Sequence, residues 1–380
     1  MGGLRQYAIA LLKLLASDRE HQYFVYHDHN DPEVLEVISN QSHLQLIRSW
    51  SRNAFYSKGI LSKFRVVYNR IRNRQDEDTR LNIVCREHKI DLIHCPYQYL
   101  PVSAKVPALC TMHDVQELLF PEYFTAEDRA YRAVHYMKYI KNASGVIVSY
   151  EHIRQDILKY FESSINKVHV CFLNMSNLWL DKYSGSEHVP LTDLELSDQF
   201  FLYPANTWIH KNHLKILEAI VLLRTQGIRV NFIFTGHQTH YFDEVLAPFI
   251  VKNDLSDQVK FLGIVEEALL YSLYKSCRGV VVPTLYEAGS FPLMEAILLS
   301  VPVICSRVTS LPETIGNPEF LFDPNDPTDI ADKMLLLSED QSFRARNLAN
   351  STKQAKRLKD YHALENFKNV YKKVTAATHD

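Results

Sequence analysis

The chain has 380 residues, 46% hydrophobic and 23% charged, a globular composition too long for one core and suited to two domains. Its 42 basic and 44 acidic side chains leave a net charge of −2, so attraction to nucleic acid or an anionic membrane must come from a local patch. No apolar run approaches the ~20 residues that span a bilayer. The six cysteines, Cys85, Cys95, Cys110, Cys171, Cys277 and Cys305, lack metal-ligand spacing and read as free, buried thiols of a reducing cytosol.

In chain order, Gly2 and Gly3 precede a helical pattern at 4–15 that Lys13 interrupts, which reads as an amphipathic helix rather than a signal segment. The glycine pair admits two readings, a backbone open to a ligand or a disordered start. Short apolar strands at 23–26, 44–47, 91–95, 108–112, 145–149 and 168–172 then alternate with helical patterns, the longest at 127–142. The segment 48–74, bounded by Arg48 and Arg74, holds eight basic residues and no acid, with Ile60, Phe64, Val67 and Ile71 at helical spacing. It is either an ordinary helix packed on the sheet or a basic amphipathic helix for an anionic membrane surface. Nucleic acid is not expected, because Asp76, Glu77 and Asp78 follow at once.

A polar stretch at 181–199 joins the halves. Strand patterns resume at 201–203, 231–235, 259–262, 279–282, 303–306 and 320–322, with helices between and a helical tail at 358–375. Alternation of this kind predicts two doubly wound parallel α/β domains. The expected domains are 1–183 and 200–357, with 358–380 as a helix returning to the first.

Three segments carry candidate chemistry. In VVVPTLYEAGSFPLMEA at 280–296, a β-branched strand leads through a Pro and Gly turn into a helix. Glu287 falls at the strand's carboxyl end and Glu295 in the helix's first turns. The backbone N–H groups of Gly289, Ser290 and Phe291 lie between them, suited to an anion. Carboxylates accept hydrogen bonds from sugar and ribose hydroxyls. In YPANTWIHKNHL at 203–214, Lys211 stands where a helix is expected to begin and can neutralise a diphosphate. His113 follows the strand at 108–112 and can donate to a sugar hydroxyl or phosphate oxygen; Asp114 is an alternative helix cap. The spacings His210/His213 and His237/His240 lack carboxylate or cysteine partners, so no metal is expected. His237, following Gly236, fits a ligand-facing loop.

These residues resemble the retaining glycosyltransferases of family 4, which have the GT-B fold. YEAGSFP at 286–292 is a shifted variant of the family's Glu-x7-Glu motif. VKFLGIV at 259–265, VPVICSRVTSLPE at 301–313, FDPNDP at 322–327 and MHDVQ at 112–116 extend the match over nearly the whole chain. The resemblance implies two Rossmann-like domains facing a cleft, with the usual first strand before the glycine loop apparently missing. It implies that Glu287 contacts donor sugar hydroxyls, Glu295 the ribose, and Gly289, Ser290 and Phe291 the donor through their backbone. Lys211 would bind the diphosphate, with Asn206 and His210 near the position of a second basic residue and Gly236 in the donor loop. His113 would lie over the transferred sugar and Gly3 in the glycine loop. The implied activity is a metal-independent, cofactor-free transfer of a hexose, mannosyl-like, from a nucleotide diphosphate sugar to a glycan or lipid-linked acceptor. That activity belongs to cell-surface polysaccharide synthesis, in the cytoplasm or peripherally on the inner membrane face. Two alternatives are a non-catalytic or decayed GT-B subunit and a glycosidase. The latter would need its carboxyls roughly 5–9.5 Å apart across a sugar and gives Lys211 no task.

Overall fold

A computed structural model describes residues 3–27, 31–48, 79–163, 165–173, 199–359 and 361–377, with positions 180, 183, 189 and 191 between them. Gly2, the basic segment after Arg48 up to and including Arg74, and most of the join at 181–199 lie outside the described residues. The chain divides into two compact units, Met1–Leu173 with His362–Asp380, and Asn174–Tyr361.

In unit 1, helix α1 (Gly3–Leu15) includes Gly3 as its first residue rather than leaving it in a loop. Tyr7, Ile9, Ala10, Leu11 and Leu12 are all buried, so α1 is covered on more than one side. Strands β1 (Tyr23–His27) and β2 (Leu44–Arg48) pair in parallel. Strands β3 (Ile93–Cys95), β4 (Ala108–Thr111), β5 (Gly145–Val148) and β6 (Val168–Val170) form a second parallel sheet in that order. Every position of β4 and β5 is buried, as their continuous apolar sequence requires. No ladder joins the two sheets among the described residues, so the strands of this half pair as two and four rather than six. After β4 come the short helix α2 (Gln116–Leu119) and the long helix α3 (Ala126–Asn142), capped by the Thr125 hydroxyl accepting from the Asp128 amide.

Unit 2 is one six-stranded parallel sheet. Strands β7 (Phe200–Pro204), β8 (Asn231–Thr235) and β9 (Val259–Phe261) build outward in one direction. β10 (Gly279–Val282), β11 (Val303–Ser306) and β12 (Leu321–Phe322) build outward in the other, giving the order β12-β11-β10-β7-β8-β9. Helices α4 (His213–Thr225), α5 (Glu267–Ser276), α6 (Phe291–Leu298), α7 (Pro327–Glu339) and α8 (Gln341–Lys359) connect and cover it. The strand order reverses between β7 and β10, and open α/β sheets bind ligands outside the carboxyl ends of the strands at such a point. The loops after β7 and β10 therefore meet where Lys211 and Glu287 lie.

The helical tail is interrupted. α8 ends at Lys359 with Leu358 buried and the Arg357 guanidinium donating to the Glu313 and Thr314 carbonyls of unit 2. α9 (Ala363–Ala376) buries Phe367, Val370 and Val374 and belongs to unit 1. The two helices bury their faces in different units, so the pattern restarts at 363 instead of running on from 358.

Candidate active site

Asn212 assembles the centre of unit 2. Its backbone is left-handed (φ 62°), and its side-chain amide donates to the Pro283 carbonyl at 2.9 Å and the Pro324 carbonyl at 2.8 Å. The His210 carbonyl accepts from the Thr284 hydroxyl at 3.0 Å and the Leu285 amide at 2.8 Å. These bonds lash the loop after β7 to the loop after β10. Lys211 therefore lies in a 3-10 turn, Ile209–Lys211, and not in α4, which begins two residues later. Its ammonium donates to Glu287 Oε1 at 2.6 Å, with the side chains 18% and 8% exposed. Burial pushes the Glu287 carboxyl up, and the Lys211 charge and hydrogen bond pull it back only in part.

Glu287 is fixed through its backbone as well. Its N–H donates to the Thr309 hydroxyl at 3.1 Å, and its carbonyl accepts from the Ser310 hydroxyl at 3.1 Å. Thr309 holds a left-handed backbone (φ 50°) to do so. Thr309, Ser310 and Asn212 carry no motif in the sequence beyond a cluster of small polar residues after a buried strand. Ser290 precedes α6, and its hydroxyl is buried without a partner among the described residues. The N–H groups of Gly289, Ser290 and Phe291 have no hydrogen-bond partner among the described residues, and Phe291 and Pro292 open α6. Glu295, in the second turn of α6, is buried and accepts from the Tyr274 hydroxyl at 2.6 Å. That tyrosine, on α5, also escaped the sequence reading.

Asn206 and Gly236 come together in the adjacent loops. Asn206 Oδ1 accepts from the His237 amide at 2.7 Å, and the Gly236 amide donates to the Gly263 carbonyl at 2.7 Å. Gly236 has φ +117°, and a Cβ there would stand 2.7 Å from the Ala205 carbonyl carbon. His210 is not a second cation: burial, then the Lys211 charge, pushes its imidazole down to about 4.

In unit 1, His113 Nε2 lies 3.0 Å from the Pro96 carbonyl oxygen, which only accepts, so Nε2 carries the proton. Nδ1 is then left as an acceptor, where the sequence reading expected a donor. Tyr7 packs edge-on against the imidazole at 4.6 Å. Burial pushes the His113 pKa down despite the Pro96 bond and the Asp114 charge, favouring the neutral ring. Asp114 stands one residue before Val115, the N-cap residue of α2; its carboxylate accepts from the Gln116 amide at 3.4 Å and faces Arg132 at 3.3 Å. One His/Cys/Asp/Glu group close enough to hold a metal occurs among the described residues, Asp18 with Glu20 and His21. There the Lys368 ammonium already lies 2.8 Å from Glu20.

A parallel sheet with a half-buried lysine paired to a buried glutamate at its strand-order reversal, beside a helix start with free amides, defines an α/β protein whose groups there suit an anion and hydroxyls. Known proteins narrow that class. Residues 192–357 match the family model of glycosyl transferases group 1, and residues 1–171 that of glycosyltransferase family 4. The O-antigen chain mannosyltransferase B of Escherichia coli is 26% identical over 376 residues, covering 97% of this chain and 96% of that protein. A glycosyltransferase from Rickettsia africae superposes with TM-score 0.69 at 15% identity, covering 98% of this chain and 94% of its own. Anabaena HepE in complex with UDP and glucose does so with TM-score 0.66 at 18% identity, covering 99% and 96%. The chain belongs to the group 1, family 4 glycosyltransferases and has the GT-B fold. It is a transferase. Among the described residues no helix is long and apolar enough to cross a membrane.

Proposed function

We propose that the chain transfers a hexose, mannose as the leading case, from a nucleotide diphosphate sugar to a glycan or lipid-linked acceptor, with retention of anomeric configuration and without a metal. The observation that carries this reading is the Lys211–Glu287 pair at 2.6 Å, its lysine half-buried and its glutamate buried, beside a Ser290 hydroxyl and α6 amides without partners among the described residues. The name of the Escherichia coli relative supports mannose and an O-antigen type of product.

In this reading Lys211 and the α6 amides stabilise the charge that the leaving diphosphate gains as the sugar–oxygen bond breaks. Glu287, oriented by Lys211, Thr309 and Ser310, accepts hydrogen bonds from donor sugar hydroxyls. Glu295 does the same for the ribose. Asn206, Gly236 and the neutral His210 shape the loops beside the diphosphate, and Gly3 contributes backbone to the sugar. His113, neutral and protonated at Nε2, offers Nδ1 to a hydroxyl of the transferred sugar. A donor phosphate oxygen accepts the acceptor proton, so no side chain serves as general base.

The test is turnover and donor affinity for Lys211→Ala and Glu287→Gln, after a thermal-shift screen of nucleotide sugars identifies the donor. A true donor raises the melting temperature because it binds only the folded state. Lys211→Ala is expected to lower kcat by at least about 100-fold, the loss seen when one preorganised charge partner of a transition state is removed. Turnover unchanged in both variants, with their folds intact, would remove the assigned roles. A wild-type protein that binds no nucleotide sugar would leave a non-catalytic subunit.

A further inference from the structure

Strand β6 (Val168–Val170) is the outer strand of its sheet in unit 1, with β5 on one side of it and no strand on the other among the described residues. In that parallel ladder the Lys167 carbonyl accepts from the Val146 amide, and the Cys171 amide donates to the Val148 carbonyl, both at 2.8 Å. Successive peptide groups of a strand alternate, so those of Val168 and Val170 turn away from β5. The N–H groups of both valines and the Val170 carbonyl have no hydrogen-bond partner among the described residues. The Val168 carbonyl accepts from Arg154 Nε at 3.3 Å and keeps a second lone pair. A cleft of about 490 Å³ lies along this edge, between β6, the first turn of the helix Glu151–Tyr160 and α9. Its described lining holds two cations and one acid. Arg154 pairs with Glu151 at 2.9 Å, and the Lys373 ammonium donates to the Asn166 carbonyl at 3.4 Å. Lys373 has no carboxylate partner among the described residues, so the cleft keeps a positive excess. After burial, the Lys373 and Arg154 charges push the His169 imidazole down, which places both cations near the strand. Ile165, 58% exposed, and Val170 add apolar surface to the lining.

We infer that β6 takes up an extended, acidic peptide segment of a partner protein as a further strand, with carboxylates on Lys373 and Arg154 and apolar side chains on Ile165 and Val170. An open sheet edge is a template for another strand, and main-chain bonds then give affinity while alternate side chains give specificity. A small anion would use the cations and leave the Val170 carbonyl unanswered. A strand brings donors and acceptors in alternation and answers both valines. A second copy of the chain pairing β6 with β6 about a two-fold axis would set the cations of each cleft against those of the other. Charge thus favours an acidic partner over self-pairing. Docking here is independent of the proposed sugar transfer and is measured without it.

The experiment is fluorescence polarisation of the full chain with a fluorescein-labelled hexapeptide alternating aspartate and valine. Two further versions of the peptide are N-methylated at alternate residues, one for each edge of the strand it would form, and citrate serves as a competing small anion. The variants are Lys373→Glu and Val170→Pro, the second removing an N–H that no ladder bond uses; melting temperature is followed in each. Wild type is expected to bind the unmethylated peptide, less tightly as salt rises. Lys373→Glu should weaken binding about tenfold by reversing a charge at the cleft. Val170→Pro should weaken it about fivefold, the worth of one hydrogen bond. One methylated peptide should lose at least about tenfold while the other binds like the parent, since only one edge of the peptide meets β6. Should Val170→Pro lower the melting temperature, Lys373→Glu and the methylated peptides decide the matter. A wild type that does not bind the peptide would overturn the inference, as would two methylated peptides that both bind like the parent. Displacement of the peptide by an equal concentration of citrate would assign the cleft to a small anion instead. A mass that doubles with concentration in wild type and not in Val170→Pro would assign the edge to a second copy.

Discussion

The Tyr274 hydroxyl, 2.6 Å from the Glu295 carboxylate and buried with it, does for Glu295 what Lys211 does for Glu287: it fixes which lone pairs remain for a ligand. Burial, then the Glu295 charge, pushes the Tyr274 phenol well above its ordinary range, so it stays a donor at any working pH. Tyr274→Phe is expected to raise KM for the nucleotide donor about tenfold while kcat changes less than twofold. In the proposed function the hydrogen bond orients a ribose contact, which would be made equally in ground and transition states. Steady-state kinetics with the donor varied checks this; a fall in kcat at constant KM would place Tyr274 in the chemistry instead. Glu287, Glu295 and Lys211 could be named from the sequence because each stands near turn residues where a buried strand gives way to a helix. Tyr274, Thr309 and Ser310 could not. Each acts through a partner between 21 and 23 positions away, and local spacing carries no trace of it.

At the scale of elements, the strand–helix rhythm placed the twelve strands of the described residues to within a few residues, because most of these parallel strands are short apolar runs. Boundaries near loops were harder. Lys211 was expected at a helix entrance, yet the left-handed Asn212 separates its 3-10 turn from α4, and that conformation is held by carbonyls of Pro283 and Pro324. Loop packing also sets a sharp requirement at Gly236. Gly236→Ala brings a Cβ against the backbone of Ala205 and Asn206 at a φ that L-residues rarely adopt. A loss of at least about 2 kcal/mol is expected, with the midpoint of urea unfolding as the measurement. The same change should weaken donor binding, since it parts the loops after β7 and β8. An unfolding midpoint equal to wild type would show that these loops adjust freely.

For the whole molecule, the histidines set the pH dependence. His94 is half-buried, with Nδ1 2.8 Å from the Tyr371 hydroxyl of α9 and Nε2 2.9 Å from the Thr111 hydroxyl. Two hydroxyls satisfy a neutral ring, and burial, then the His113 charge, pushes its pKa down to about 3. In unit 2, burial pushes His213 down to about 3 as well. Between these values and 6.5 the unfolded chain binds more protons than the folded one. Stability is therefore complete above about pH 6.5 and lost as pH falls. Each histidine can withdraw up to about 2 kcal/mol between pH 6.5 and 5. Asp18 does not titrate in that window: burial pushes it up, but the Tyr23 hydroxyl, the Glu20 amide and His21 outweigh this and hold it at about 2. Calorimetric melting from pH 7 to 5 should thus show a falling midpoint that His94→Asn reduces in part. A flat midpoint would contradict the neutral assignment.

The sequence by itself determined the parallel α/β class and the family. It also singled out Lys211 and Glu287, which the structure brings together, because apolar runs, turn residues and motif spacing are local properties of a chain. Tertiary structure decided which hydroxyls hold each carboxylate, that His210 is neutral and that His113 presents an acceptor. It decided too that the last helix joins unit 1 while the helix before it stays in unit 2. Burial and hydrogen bonding between distant segments govern those outcomes, and both exist only once the chain has folded.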